Sequence, residues 1–409
     1  MRGNNHLSQV GKVLAIFAVT LLAANAWAGH QVLLPFSGSN GANPVAGLIA
    51  DSSGNFYGTT DTGGTYGFGT VYELSPSGGG WTETVLHNFQ NNGVDGTYPF
   101  STLTFDTQGN LYGTTYKGGA HNYGTVFELS PGGSGWSESI LHNFNIVDNV
   151  GDGAFPQAGV TFDSQGNIIG TTYAGGSVGY GMIYKLTPNG SGGWTKSSIH
   201  YFGQGNDGRN PNSNLIADSM GNLYGATYSG GTSGAGTVYK LTPNGSGGYS
   251  EMVIHSFTVG SDGTNPEQSG LVFDANGVLY GTCSLGGGSG KGTAYKLTPN
   301  GSGGWAKAII HNFGAGTDGQ NPYSGLTIDG QGNLYGTTYN GGSLGFGTVF
   351  KLTPNGSGGF TETILHNLFA GSDASHPYGP LLLDSQGNLY GTSYQGGTSN
   401  MGTVFEITP

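Results

Sequence analysis

An Asp-x-x-Gly turn returns seven times in this chain, at Asp51, Asp106, Asp163, Asp218, Asp274, Asp329 and Asp384, at intervals of 55 to 57 residues. A tandem repeat of that length constrains the fold before any local propensity does. Each copy is one supersecondary unit that buries its apolar faces only by stacking on its neighbours. The copies begin near residues 44, 99, 156, 211, 266, 322 and 377 and run to Pro409, which leaves no room for a second domain.

The sixth copy shows the internal plan most clearly. SGLTID leads into the Asp329 turn, where the carboxylate can bond the turn backbone and Gly332 supplies a positive φ. NLYGTTY follows and ends at a Gly-Gly loop; GTVFKLTP ends at Asn-Gly; FTETILHNL alternates apolar and polar residues with period two. These are four short strands, A to D, and no segment carries a helical apolar period. The 83 glycines are therefore turn punctuation between strands and not a sign of disorder.

Four-stranded units can stack in a line or in a ring, and the chain ends distinguish the two. QVLLPF (31–36) resembles the strand-D sequence ILHNF, while the last copy stops after strand C at Pro409. An N-terminal strand that supplies the missing outer strand of the last unit closes a ring. The expected fold is all-β: a seven-bladed β-propeller with four-stranded blades, occupying 29–409 as a single domain. With strand A innermost, the B–C loops and the Asp-Gly-x-x-Pro segments between D and A share one face, here the top.

The NLYGTTYxGGxxxxGTVFKLTP core, seen at 110–131, 222–243, 333–354 and 388–409, resembles the Gloeo–Verruco (GloVer) tandem repeat of exported bacterial proteins. The resemblance covers all seven copies. It implies export and a repeat fold and nothing catalytic. Members of that family often carry a C-terminal surface anchor, and no such tail is read here. The opening of each repeat also resembles NHL-type propellers, a likeness of fold alone.

Residues 1–28 read as a signal peptide. Arg2 and Lys12 are followed by the apolar run from Val13 to Ala24 and by Ala26-Trp27-Ala28, a small-x-small cleavage pattern. The expected product is secreted, extracellular or periplasmic, cleaved near Ala28, monomeric and without a membrane span. It keeps nine Lys and Arg against 23 Asp and Glu, a formal charge of −14, which repels nucleic acid. The lone Cys283 excludes an internal disulfide and takes the place of a strand-B threonine, so a quiet packed thiol is expected.

Histidine recurs in strand D at His87, His142, His200, His255, His311 and His366. Adjacent blades lie at least ~10 Å apart, so the six cannot share one ion, and a structural role is expected. Asp95, Asp152, Asp207, Asp262, Asp318 and Asp373 recur in the Asp-Gly-x-x-Pro segments and read as turn formers. A Ca²⁺ site is the sharper alternative there, but the spacing matches no calcium loop, so no cofactor is implied and any metal is unknown. Asn189, Asn244, Asn300 and Asn355 precede Gly-Ser and read as hairpin turns more than as glycosylation sequons.

Tyr116, Tyr173, Tyr228, Tyr339 and Tyr394 end strand B beside Gly-Gly, which places them at the top face. Their rings can stack on sugars and their hydroxyls can hydrogen-bond, or each can pack against the neighbouring blade. An enzyme should break the repeat with unlike groups at one point. The breaks are Asp61, Lys117, His121, Arg209, Glu267, Lys291 and His376, of which Asp61, His121 and His376 come from neighbouring segments. The regularity of the copies favours a non-enzymatic binding protein for extracellular polysaccharide or a cell-surface protein. A propeller-based lyase or hydrolase with an asymmetric top-face site is the alternative.

Overall fold

The computed structural model describes residues 29–133, 135–147, 151–245, 248–266 and 270–408; the signal peptide read at 1–28 and Glu267 lie outside them. Every regular element described is a strand, and the sheets are antiparallel throughout. In the second blade the order from centre to rim is Gly96–Pro99 with Thr104–Phe105, then Leu111–Gly118, Thr125–Gly132 and Gly135–Asn143. The other blades repeat it, and together they form a seven-bladed β-propeller.

The N-terminal strand, Gly29–Pro35, pairs antiparallel with Thr403–Thr408, from Gly29 opposite Thr408 to Pro35 opposite Thr403. It is the outer strand of blade seven, as the likeness of QVLLPF to strand D requires. The core is divided among the seams. Seven apolar clusters each straddle two adjacent blades. The one at the closure joins Phe36, Tyr390 and Val404 of blade seven to Leu48, Phe56, Tyr72 and Leu74 of blade one. Phe36, Phe89, Phe144, Phe202, Phe257 and Phe313 end the successive outer strands and are fully buried. Each stabilises its seam by about 1.5–3 kcal/mol.

Strand B is buried on both faces along Leu-Tyr-Gly-Thr-Thr, which explains why glycine stands at its centre. A Cβ on Gly113 would lie 2.6 Å from Cζ of Phe127, so the strand-C aromatic ring fills the space that glycine leaves. The Asp-x-x-Gly turns behave as expected. Asp329 accepts hydrogen bonds from the N–H groups of Gln331 and Asn333, from Asn333 Nδ2 and from Tyr335 Oη. Burial pushes this carboxyl up, but those bonds outweigh it and hold the pKa below its ordinary value. Asn189 Oδ1 closes its turn by accepting from Ser191 N and Gly193 N. Cys283 is fully buried in the seam between blades four and five.

The inner strand differs from the expected single run. In blade two it is two short pieces, and Gly96–Pro99 already pairs with the upper half of strand B. The Asp-Gly-x-x-Pro segment is thus the start of the inner strand and not a free top-face loop. The upper half of strand B would otherwise leave its backbone groups without partners on that side. The break comes at the proline, and the residue before it is left-handed: Asn43, Tyr98, Phe155, Asn210, Asn265, Asn321 and His376 have φ between 54° and 59°. Four of the seven are asparagine, the side chain that tolerates this region best after glycine.

Candidate functional site

Two places collect the polar and aromatic residues that the repeat carries: the mouth of the central channel and the outer ends of the seams. At the mouth a cavity of about 450 Å³ is lined by Phe100, Gln157, Tyr173, Asn212, Tyr228, Tyr323, Tyr339 and Tyr378. These residues belong to blades two, three, four, six and seven, so the cavity spans the channel. Tyr173, Tyr228 and Tyr339 are strand-B tyrosines. The other five follow the proline that breaks the inner strand, a position that escaped the sequence reading. Its signal was variation, since it reads Val45, Phe100, Gln157, Asn212, Glu267, Tyr323 and Tyr378 around the ring.

Blades six and seven line it with rings alone, whereas blades three and four bring Gln157 and Asn212 beside Tyr173 and Tyr228. Tyr323 and Tyr378 stack with centroids 5.1 Å apart, and Tyr339 meets Tyr323 edge-on at 5.3 Å. Opposite them lie Gln157 and Asn212. Asn212 is 3% exposed, and its Oδ1 has no hydrogen-bond partner. Tyr116 packs on Phe155 of the next blade at 5.2 Å and on Phe100 at 6.1 Å. Tyr394 is half-buried and accepts a bond from Asn43 Nδ2 through its backbone carbonyl. The five tyrosines thus divide: Tyr173, Tyr228 and Tyr339 line the cavity, and Tyr116 packs on the next blade.

At the rim the structure joins two series that the sequence presented separately. Each strand-D histidine meets the aspartate that follows it: His87–Asp95 at 3.2 Å, His142–Asp152 at 3.1 Å, His200–Asp207 at 3.0 Å, His255–Asp262 at 3.1 Å, His311–Asp318 at 3.0 Å and His366–Asp373 at 3.2 Å. Most of these aspartates are buried. Their carboxylates also accept backbone N–H groups, as Asp95 does from Gln90.

A third residue reaches each pair from strand D of the following blade. It is Glu138, Lys196, Glu251, Lys307, Glu362 and finally His30. One strand serves two seams because it carries a β-bulge. In blade six Phe350 pairs with Ile364 but Val349 pairs with His366, so Leu365 is an extra residue. Glu362 and His366, four apart, would share a face of a regular strand. The bulge turns them to opposite faces, toward His311 behind and His30 ahead.

A profile of the Gloeobacter/Verrucomicrobia repeat matches residues 15–191, 134–304 and 249–409, three overlapping stretches that together cover most of the chain. The chain belongs to the Gloeobacter/Verrucomicrobia repeat family. No curated protein matches it.

In this family member the third rim residue decides the electrostatics. Burial, then the Asp95 charge, pushes the Glu138 carboxyl up to about 8, against the pull of His87. Glu251 and Glu362 are pushed to about 7 by burial and by the aspartate beside each. Asp152 is held down at about 2, because hydrogen bonds and charge from His142 and Lys196 outweigh its burial. At the closing seam Leu34 and Asn40 replace histidine and aspartate, and Asn40 Nδ2 donates to Glu83 Oε2 at 2.6 Å.

The residues that break the repeat are scattered. Asp61 takes the strand-B tyrosine position in blade one, where burial pushes its carboxyl up to about 7 and leaves Oδ1 without a partner. His376 lies 4.8 Å from the Tyr339 ring and 5.7 Å from Phe346, and burial lowers its pKa. His121 is exposed, with Nε2 at 3.5 Å from Asn145 Nδ2. Among the described residues no hydrogen bond or ion pair joins any two of these three. Arg209 and Lys117 lie over the rings of Tyr180 and Tyr116, and Lys291 is exposed on a B–C loop.

Proposed function

We propose that the chain is an exported, non-enzymatic binding propeller that takes a neutral saccharide at the channel mouth. The observation that carries this reading is the cavity itself. None of its eight lining residues is charged at neutral pH. Aromatic rings suit the C–H face of a sugar, and the amides of Gln157 and Asn212 suit its hydroxyls. The unpartnered Asn212 Oδ1 is ready for one such hydroxyl. The site is one cavity shared by five blades, so one chain end or loop of a polysaccharide is bound, in place of seven equivalent contacts.

A glycan array followed by calorimetry tests the reading. Binding of at least one neutral oligosaccharide is expected, falling tenfold or more in Tyr323→Ala and in Asn212→Ala. Uniform absence of binding, or affinity unchanged in both variants, overturns it. A lyase or hydrolase would rest instead on Asp61, whose carboxyl titrates near neutrality. Depolymerisation that Asp61→Asn abolishes would establish that second reading.

A further inference from the structure

We propose that three blade seams are divalent-cation sites, held by His87, Asp95 and Glu138, by His200, Asp207 and Glu251, and by His311, Asp318 and Glu362. In each, one imidazole nitrogen and two carboxylate oxygens lie within 4.8 Å of one another. This donor set fits zinc, and its fourth position would be left to water. Zinc bonds of ~2.0–2.1 Å in a tetrahedron set neighbouring ligand atoms about 3.3–3.4 Å apart. His87 Nε2 is 3.2 Å from Asp95 and 3.7 Å from Glu138, and His311 Nε2 is 3.0 Å from Asp318 and 3.5 Å from Glu362. At these two seams the imidazole–carboxylate distances differ from the tetrahedral spacing by tenths of an ångström; at the third, His200 Nε2 is 3.0 Å from Asp207, and Glu251 closes in from within 4.8 Å.

The chain supplies its own comparison. At the seams between these three, the third residue is Lys196 or Lys307, and the ammonium sits on the aspartate at 2.9 and 2.5 Å. At the next seam it is His30, whose Nε2 is 2.9 Å from Asp373. That seam too gathers three ligand atoms, from His30, His366 and Asp373, within 4.8 Å. An ammonium occupies the place in question at the two lysine seams. At the six seams that hold the histidine–aspartate pair the third residue runs glutamate, lysine, glutamate, lysine, glutamate, histidine. Where glutamate comes instead, two carboxylates face each other beside one imidazole. Asp95 Oδ1, Glu138 Oε1 and Glu251 Oε1 are then buried without a hydrogen-bond partner. Asp95 is only 4% exposed. A buried acid pair of this kind requires a cation or a shared proton, and the histidine makes the site a ligand set for the former. The histidines are about one-fifth exposed, which leaves a path for the ion from solvent.

The test uses the whole protein, stripped with chelator and then titrated with Zn²⁺, with bound metal counted by elemental analysis after dialysis. The variant Glu138→Lys/Glu251→Lys/Glu362→Lys rebuilds the lysine seam at all three places. The expected result is that it binds three equivalents fewer than the parent. Its melting temperature should no longer rise with zinc. If the triple variant does not fold, the single substitutions Glu138→Gln, Glu251→Gln and Glu362→Gln should each remove one equivalent. Co²⁺ in the parent should give the visible absorption of a low-symmetry N/O site. A difference of fewer than three equivalents, or single variants that bind as much as the parent, overturns the proposal and assigns the shared proton instead.

Discussion

The rim and the mouth are built from the same seven copies and treat the repetition in opposite ways. At the rim, histidine and aspartate stand in six seams out of seven, and only the residue arriving from the next blade changes, between acid and base. At the mouth the position after the proline is apolar, amide or phenolic among the described residues, and strand B ends in Asp61 or Ser284 where others have tyrosine. Sameness at the rim serves closure, since every seam must present matching surfaces. Difference at the mouth makes one concave site out of seven similar edges. Substitutions at the rim should therefore change stability, and those at the mouth should change recognition.

The largest effect should come from removing residues 29–36. Thr403–Thr408 would lose its partner strand and Phe36 its place in the closing cluster, a loss of roughly 5 kcal/mol or more from the buried apolar side chains alone. Calorimetry should show a lower and less cooperative transition; an unchanged melt would mean that the ring does not depend on this strand. Next is Lys196→Met, which takes the ammonium from buried Asp152, leaves it His142 and the N–H groups of Asn145 and Gly153, and should cost about 3 kcal/mol by urea unfolding. In the parent, Asp152 has its pKa depressed to about 2, so the stability from this pair is present above the ordinary aspartate pKa. It should be lost as pH falls toward 2.

The glutamate seams should show the reverse dependence. A carboxyl raised from its ordinary value to about 8 binds more protons folded than unfolded in the interval between. Without metal, stability should fall as pH rises through that interval. Glu138→Gln should then gain about 1 kcal/mol at pH 8 and nothing at pH 4 in chelator. Equal gains at both values would remove the acid pair as the cause. The mouth should show no larger an effect on stability. Tyr323→Ala should shift unfolding by about 1 kcal/mol, because its ring is only half-buried, while abolishing most saccharide binding. A variant that loses both would make the mouth part of the core.

The blades were legible because turn chemistry, strand length and spacing agree at every copy, and QVLLPF carried enough of strand D to show the closure. The rim sites were not. In FTETILHN the pleat puts Glu362 and His366 on one face, and nothing in the sequence marks Leu365 as the residue that reverses them. The histidines could then be weighed only as a set of six sharing one ion, never as six pairs. The mouth was half legible. Strand-B tyrosines stood out by repetition, whereas Phe100, Gln157, Asn212, Tyr323 and Tyr378 share a position but no chemistry. The left-handed residue before each proline, which turns the chain into the mouth, is asparagine in only four blades.

The closing strand also sets an order of events. Gly29 pairs with Thr408, 379 residues later, so the first strand made waits for the last. Until then blade seven presents an open edge at Thr403–Thr408, and blade one lacks the apolar surface it is to rest on. Open edges and late long-range pairing are what slow a β-protein and expose it to aggregation. A circular permutant that joins the present ends and opens the chain between two blades, just after an outer strand, would make every hairpin local, and it should fold faster to the same ring.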